Sequence, residues 1–445
     1  MFAFATISRD VRAIDKKRTI PQSYKFLVAR DAVGIIPLYW GKDEYGGLWF
    51  ASEAKSISHL ETIQTFPPGH YLDEACDGVP KRWWNVRDFT NLSLTNTPYT
   101  PSSEIRQRLE QSVVDHLLGD VPFGVLLSGG LDSTSIAALA VQHSERRVDD
   151  GTKAWYPNIH TFSIGMKGSP DLESAAYAAR ELGTIHHPFT FTFEEVLANL
   201  NKVIYAIETY DTTTIRASIP LYLLGKRLRR SGIKVVLSGE GADELFGGYL
   251  YFRSAPGTAE FQKELVSKVE LLHKYDCLRA NKALAASGVE CRVPFLTRSF
   301  VEYALSIDPK EKLCSTRIEK AILRDAMKDL LPEGVYLRQK EQFSDGVGYS
   351  YIDSLQKFAA SKYPKREFAA AAAKYHHNTP RTPEELLYRE VFTDSFGKKL
   401  DHTVEWGASV ACSTHAASKW MSGKIVDPSG RAVAHHSASY ERSVM

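Results

Sequence analysis

Two short stretches hold residue types that could do chemistry. The first, Val121 to Ala140, reads V-P-F-G-V-L-L-S-G-G-L-D-S-T-S-I-A-A-L-A. An apolar run (Phe123, Val125, Leu126, Leu127) stops at Ser128-Gly129-Gly130 and gives way to Leu131, Asp132, Ser133 and small apolar residues. That is the pattern of a buried strand turning sharply into a helix, with Ser133 suited to cap it. The glycines let the backbone turn with its N–H groups exposed, and the positive end of the helix points into the same space, which makes a place for phosphate oxygens. A Walker loop would need G-x-x-x-x-G-K-[ST], and no lysine follows here. A glycine turn kept for packing alone is the plainer alternative.

The second stretch, Ser238-Gly239-Glu240-Gly241-Ala242-Asp243-Glu244, follows the apolar run Lys234 to Leu237. Three carboxylates so close together fit a solvated turn opening an acidic helix, which suits the helix dipole. They equally fit carboxylates that face phosphates across a divalent cation, since bare carboxylates would repel phosphate. His186-His187 invites a metal reading, but neighbours on a strand point to opposite faces, so the pair reads as structural.

Around these stretches the chain is that of an ordinary soluble globular protein, with 445 residues, 43% hydrophobic and 24% charged. Its length suits two or three domains. A formal net charge of +2 gives no footprint for nucleic acid or anionic lipid. The five cysteines, Cys76, Cys277, Cys291, Cys314 and Cys412, have neither disulfide-framework nor zinc spacing. No apolar run has the length of a membrane span and no leader is evident, so a cytoplasmic protein is expected.

The elements that must position the two stretches follow from periodicity. Residues 1–90 carry short β-prone runs, Phe2 to Ile7, Tyr24 to Ala29 and Leu48 to Ala51, which predict an antiparallel sheet. Residues 91–103, rich in Thr, Ser, Asn and Pro, read as a linker. A helix follows with Ile105, Leu109, Val113 and Leu117 on one face. Strands are expected at Phe123 to Leu127, His160 to Gly165, His187 to Thr192 and Lys234 to Leu237, and helices at Asp171 to Leu182, capped by Asp171, and through Val196 to Ile207. This alternation predicts an α/β fold with a doubly wound parallel sheet that binds ligands beyond the carboxyl ends of its strands. The chain then turns mostly helical, with Phe261 to His273, Ile318 to Leu330 and Pro383 to Thr393 the clearer segments, and residues 407–445 look loosely ordered.

S-G-G-x-D-S resembles the loop of the N-type ATP pyrophosphatases. Together with S-G-E-G-A-D-E, T-T-T-I-R-A-S at Thr212 to Ser218, Y-D-C-L-R-A-N-K at Tyr275 to Lys282, R-V-P-F-L at Arg292 to Leu296, R-Q-K-E-Q-F-S-D-G at Arg338 to Gly346 and D-P-S-G-R-A-V at Asp427 to Val433, the chain resembles the glutamine-hydrolysing asparagine synthetases almost end to end. The resemblance implies ATP-dependent amidation of aspartate through β-aspartyl-AMP, in a synthetase domain at 104–406. It implies ATP and Mg²⁺, aspartate and ammonia as partners, glutamine in intact relatives, no nucleic acid and no membrane, with room left for a homodimer. It places pyrophosphate on Ser128, Gly129, Gly130, Leu131, Asp132 and Ser133, and Mg²⁺ on Asp132 and Asp243. The nucleotide pocket falls to Leu126, Ile164, Ser238 and Gly239, catalysis to Glu240 and Lys340, and the aspartate end to Asp276 and Arg279.

The chain departs from the family pattern at its start. Family members open with a nucleophile glutaminase domain whose cysteine follows the initiator methionine, whereas position 2 here is Phe2. Residues 1–90 match the later part of that domain, through Ala29-Arg30-Asp31 and Phe50-Ala51-Ser52-Glu53, so a partial antiparallel β remnant is expected, with a truncated gene model or a short form as the two explanations. The expected consequence is synthesis from free ammonium only. Two rival readings are a β-lactam-forming relative and a non-catalytic truncated paralogue or subunit-pairing fragment. Intact Asp132, Glu240 and Lys340 weigh against the second.

Overall fold

The computed structural model describes residues 1–9, 24–90, 102–145, 151–154, 157–314, 317–405 and 413–421. Most of the expected linker and the segment Asp427 to Val433 lie outside the described residues.

The first 90 residues form two small antiparallel sheets. Strands β1 (Ala3–Arg9), β2 (Tyr24–Arg30), β3 (Tyr39–Lys42), β4 (Leu48–Ala51), β5 (Thr62–Thr65), β6 (His70–Asp73) and β7 (Lys81–Arg82) pair in the orders β1-β2-β6-β7 and β4-β3-β5. Strands β3, β5, β6 and β7 span only two to four residues each, too few for a periodic signal in the sequence. Val28, Leu38, Trp40, Phe66 and Leu72 close a core between the sheets. Arg30, fully buried, donates to the carbonyls of Gly34, Ile36 and Phe66 and holds the loop after β2.

The remainder is built on a five-stranded parallel sheet: β8 (Phe123–Leu126), β9 (His160–Gly165), β10 (Ile185–Thr190), β11 (Val235–Leu237) and β12 (Glu290–Arg292), ordered β10-β9-β8-β11-β12. Five helices supply the crossovers and flanks: α1 (Ser102–His116), α2 (Leu131–Gln142), α3 (Pro170–Leu182), α4 (Phe193–Ile207) and α5 (Thr212–Arg230). Next come α6 (Ala242–Phe246), α7 (Thr258–Leu271) and α8 (Asp276–Ala285), and then further helices through Pro383–Phe396. The chain winds outward from β8 in one direction and from β11 in the other. The switch point therefore lies between β8 and β11, where open α/β sheets place their ligands.

Several local expectations change. Helix α2 begins at Leu131 with Gly130 as its N-cap, because the extended Gly130 starts the helix two residues before Ser133. Helix α3 is capped at Ser169 with Pro170 in its first turn, leaving the Asp171 carboxylate for other work. The third strand starts at Ile185. The helix expected over Ile318 to Leu330 spans only Ala321–Met327, and Ser102 and Ser103, expected as linker, are already helical. In the expected tail, Ser413 to Met421 packs down: Thr414 donates to Glu264 through its backbone N–H at 2.9 Å, and Ala417 is fully buried. Helix α5 was not anticipated. Its residues are buried on nearly all sides, which erases the amphipathic period, and Pro220 lies inside it.

Candidate active site

The two chemistry-bearing stretches meet at the switch point. The β8–α2 loop and the β11–α6 loop are in contact, since a Cβ on Gly239 would lie 2.8 Å from the Asp132 carbonyl carbon and 2.8 Å from the Ser133 nitrogen. Gly129 is required twice over: its φ is +72°, and a Cβ there would lie 2.2 Å from the Ser174 carbonyl carbon at the start of α3. Ser133 knits the loop from within. Its hydroxyl accepts from the Ser128 N–H at 3.2 Å and lies 3.1 Å from the Ser128 hydroxyl and 3.3 Å from the Gly130 carbonyl.

A cavity of about 280 Å³ opens over these loops. Of the residues expected at the site, Leu126, Ser128, Gly130, Leu131, Asp132, Ser133, Ile164, Ser238, Gly239, Glu240, Asp243, Asp276, Arg279 and Lys340 all line it, whereas Gly129 does not and packs instead against Ser174 of α3. One end is apolar, with Leu126, Phe162, Ile164 and Leu221. The middle is a lattice of charges. Lys340 Nζ lies 2.5 Å from one Asp243 oxygen, and Lys320 Nζ lies 2.7 Å from the other and 2.7 Å from both oxygens of Asp132. Burial alone would raise the Asp243 carboxyl, but the two ammonium groups outweigh it and hold it well below the carboxylate range. Asp132 is pushed upward by burial and by Asp243, against the pull of Lys320. Burial works against the Lys340 ammonium, yet Asp243 and Asp132 raise its pKa above the lysine range, so it stays charged.

The Lys340 segment is pinned from behind. Buried Glu319 accepts from the Lys340 N–H at 2.7 Å and pairs with buried Arg324 at 2.7 Å, while Arg324 reaches the carbonyls of Tyr336 and Arg338. Arg338 in turn donates to the Ser128 carbonyl at 3.0 Å and to Asp171 at 2.8 Å, tying this segment to the phosphate loop and to α3. Burial lifts Asp171 to about 6 despite this arginine. The sequence does not single out Lys320, Arg324, Arg338 or Glu319 as site residues; the partners of Lys320 and Arg338 at the site lie 77 to 210 residues away. Helix α5 brings in Thr213 and Thr214, and its Arg216 is buried against Glu384 at 2.8 and 2.6 Å.

At the other end, Glu240 receives one Arg279 nitrogen on both oxygens, at 2.7 and 2.8 Å, and Arg279 also meets Asp276 at 2.9 Å on the same face of α8. Burial raises Glu240, with Arg279 opposing it. Two of the Arg279 nitrogens are therefore engaged within the protein, and its Nε is buried without a hydrogen-bond partner.

The oxygens of Asp132 and Asp243 converge on one cationic point, the donor chemistry a hard divalent ion needs, so the residues fit Mg²⁺. Among the described residues no group of three His, Cys, Asp or Glu could hold a metal, so remaining ligands would come from phosphate and water. His186 faces Thr161 and Ser163 while His187 stacks on Phe162 and His160, which agrees with the structural reading of that pair.

Comparison with known proteins bears on all of this. The asparagine synthase family model matches residues 104–260 and 253–422, and a glutamine amidotransferase domain matches residues 20–84. Asparagine synthetase B (glutamine-hydrolysing) of Escherichia coli strain K12 is 46% identical over 448 residues, covering 99% of this chain and 78% of that protein. A glutamine-hydrolysing asparagine synthetase of Brassica oleracea is 47% identical, covering 94% and 73%, and asparagine synthetase 2 of Oryza sativa subsp. japonica is 48% identical, covering 94% and 72%. With this identity over nearly its whole length, the chain belongs to the asparagine synthase family.

Proposed function

We propose that this chain makes asparagine from aspartate, ATP and ammonia. The observation that carries the reading is the single cavity in which the glycine loop of β8, the acidic loop of β11, Lys340 and the Glu240–Arg279 pair converge. The apolar end takes adenine, between Leu126 and Ile164, and the loop Ser128 to Ser133 takes the β- and γ-phosphates. Asp132 and Asp243 would hold Mg²⁺, which when bound would supply positive charge to the triphosphate. A β-carboxylate oxygen of aspartate attacks the α-phosphorus. The bond from that phosphorus to the bridging oxygen breaks, and pyrophosphate leaves with the electron pair. Lys340, charged and fixed from behind by Glu319, stabilises the extra negative charge at the α-phosphate. Ammonia then adds to the acyl carbon, the carbon–oxygen bond to AMP breaks, and Glu240 accepts the proton that the attacking nitrogen sheds. Asp276 and Arg279 orient the amino-acid end and hold Glu240 in place.

Residues 1–445 are proposed to use ammonium rather than glutamine. The four cysteines among the described residues are buried. Burial pushes the thiols of Cys277, Cys291 and Cys314 upward, the opposite of an activated nucleophile. The test is pyrophosphate and asparagine formation from Mg²⁺-ATP and aspartate, with ammonium or with glutamine. Asparagine from ammonium alone is expected. Glutamate released from glutamine by the purified chain would overturn the ammonium-only reading, and no asparagine from either source would overturn the synthetase reading for this chain.

A further inference from the structure

Lys320 is the least explained residue of the cavity. Its side chain is 1% exposed, and its Nζ makes three contacts of 2.7 Å, to both oxygens of Asp132 and to one of Asp243. An ammonium has three N–H donors, so all three are used on two carboxylates that come from separate strand ends. The backbone is built to deliver it. Lys320 is a non-glycine residue with φ 56° and ψ 32°, a conformation that costs free energy at a residue with a Cβ and persists only where the surroundings impose it. Those surroundings are visible: Glu319 is locked by Arg324 and the Lys340 N–H, and Gly248 leaves room for the lysine stem, since a Cβ there would lie 2.9 Å from Lys320 Cδ and 1.9 Å from Asp243 Oδ1.

Two buried carboxylates at the mouth of a phosphate site would repel one another and spread apart. An ammonium seated between them holds them converged. It also stands at the point toward which their oxygens are aimed, and a divalent ion cannot share that point with it. A bare divalent ion would have to expel a buried, fully hydrogen-bonded cation and leave it without an anionic partner. An ion arriving with ATP brings phosphate oxygens that the displaced ammonium can take instead.

We propose that Lys320 is a resident counter-ion which keeps Asp132 and Asp243 preorganised in the nucleotide-free protein and makes divalent-metal binding conditional on nucleotide. Lys320 is then a positioning residue for the metal carboxylates. The inference rests on the assignment of Asp132 and Asp243 to the metal, and its test separates the two.

Mn²⁺ serves as the probe, with free ion followed by electron paramagnetic resonance in the full chain, with and without ATP. Asp132→Asn should weaken Mn²⁺ binding in the presence of ATP. If it does not, the metal assignment fails, whatever Lys320 does. With that assignment standing, wild type should bind Mn²⁺ alone at least about ten-fold more weakly than Lys320→Met does, while both bind it with ATP. Equal nucleotide-free affinity in the two proteins overturns the proposal. Should Lys320→Met not fold, wild type decides alone: nucleotide-free Mn²⁺ binding that is lost in Asp132→Asn and as tight as binding with ATP overturns the proposal, and its absence is the expected result.

Discussion

Lys340 owes its charge and its place to different neighbours: Asp243 and Asp132 keep it protonated, and Glu319 fixes its backbone at 2.7 Å. Lys340→Met removes the charge and leaves that backbone anchor. The synthetase rate constant should fall by about 10²–10³, the scale of losing one preorganised stabilising group, with little change in melting temperature. A steady-state assay that finds less than a ten-fold loss would remove Lys340 from the mechanism. A second lysine makes a prediction about stability. Lys312 is buried, meets only the Ala304 carbonyl at 2.8 Å, and is brought down to about 7 by burial, with Asp308 opposing. Its folded pKa is below its unfolded one, so between about pH 7 and 10.5 the unfolded chain binds more protons and this group's contribution to stability rises with pH. Lys312→Met should therefore be the more stable protein at neutral pH, with an advantage that shrinks by up to about 1.4 kcal/mol per pH unit on the way up. Paired denaturant titrations at pH 7 and pH 9 check this, and a constant difference would contradict it.

The loops of β8 and β11 work because their glycines let two strand ends and α3 approach within contact. Gly129→Ala sets a Cβ 2.2 Å from the Ser174 carbonyl carbon and forces φ +72° on alanine, so a loss of at least about 2 kcal/mol is expected, together with loss of ATP binding. Calorimetric titration with ATP measures the second, and normal affinity would mean that the loop is not the phosphate seat. At this scale the sequence was most legible where an apolar run met a glycine turn, as at Ser128-Gly129-Gly130 and Ser238-Gly239, because strand, turn and helix start are all local patterns. It was silent on α5, which is buried on nearly all sides, and on β12, where Cys291 stands alone between charged Glu290 and Arg292. It was silent too on Lys320, whose carboxylate partners lie 188 and 77 residues away. Resemblance gave Glu240 and Arg279 separate roles, and only their 2.7 Å contact makes them a pair.

Across the whole molecule, the β layer is fastened to the parallel-sheet body by charge as well as by apolar packing. Glu208, at the end of α4 with φ 57°, accepts from the backbone N–H groups of Ala54 at 2.9 Å and Lys55 at 2.8 Å, and pairs with buried Lys282 of α8. Trp84 donates to Glu302 at 2.8 Å, and Arg87 meets Glu270 at 2.7 Å. Lys282→Met leaves Glu208 buried and short of its main counter-charge, which should cost about 3–5 kcal/mol and loosen the β layer first. Hydrogen exchange at the Ala54 and Lys55 amides should quicken well before exchange in β8 and β11, and unchanged exchange there would show that packing alone holds the layer. The Trp84 contact has a spectroscopic consequence. Four of the seven tryptophans, Trp40, Trp49, Trp83 and Trp84, belong to the first 90 residues, while β8 to β12 contain none. Intrinsic fluorescence therefore reports chiefly on this layer, and a red shift in emission that precedes the loss of helical circular dichroism would record its departure from a still-folded body.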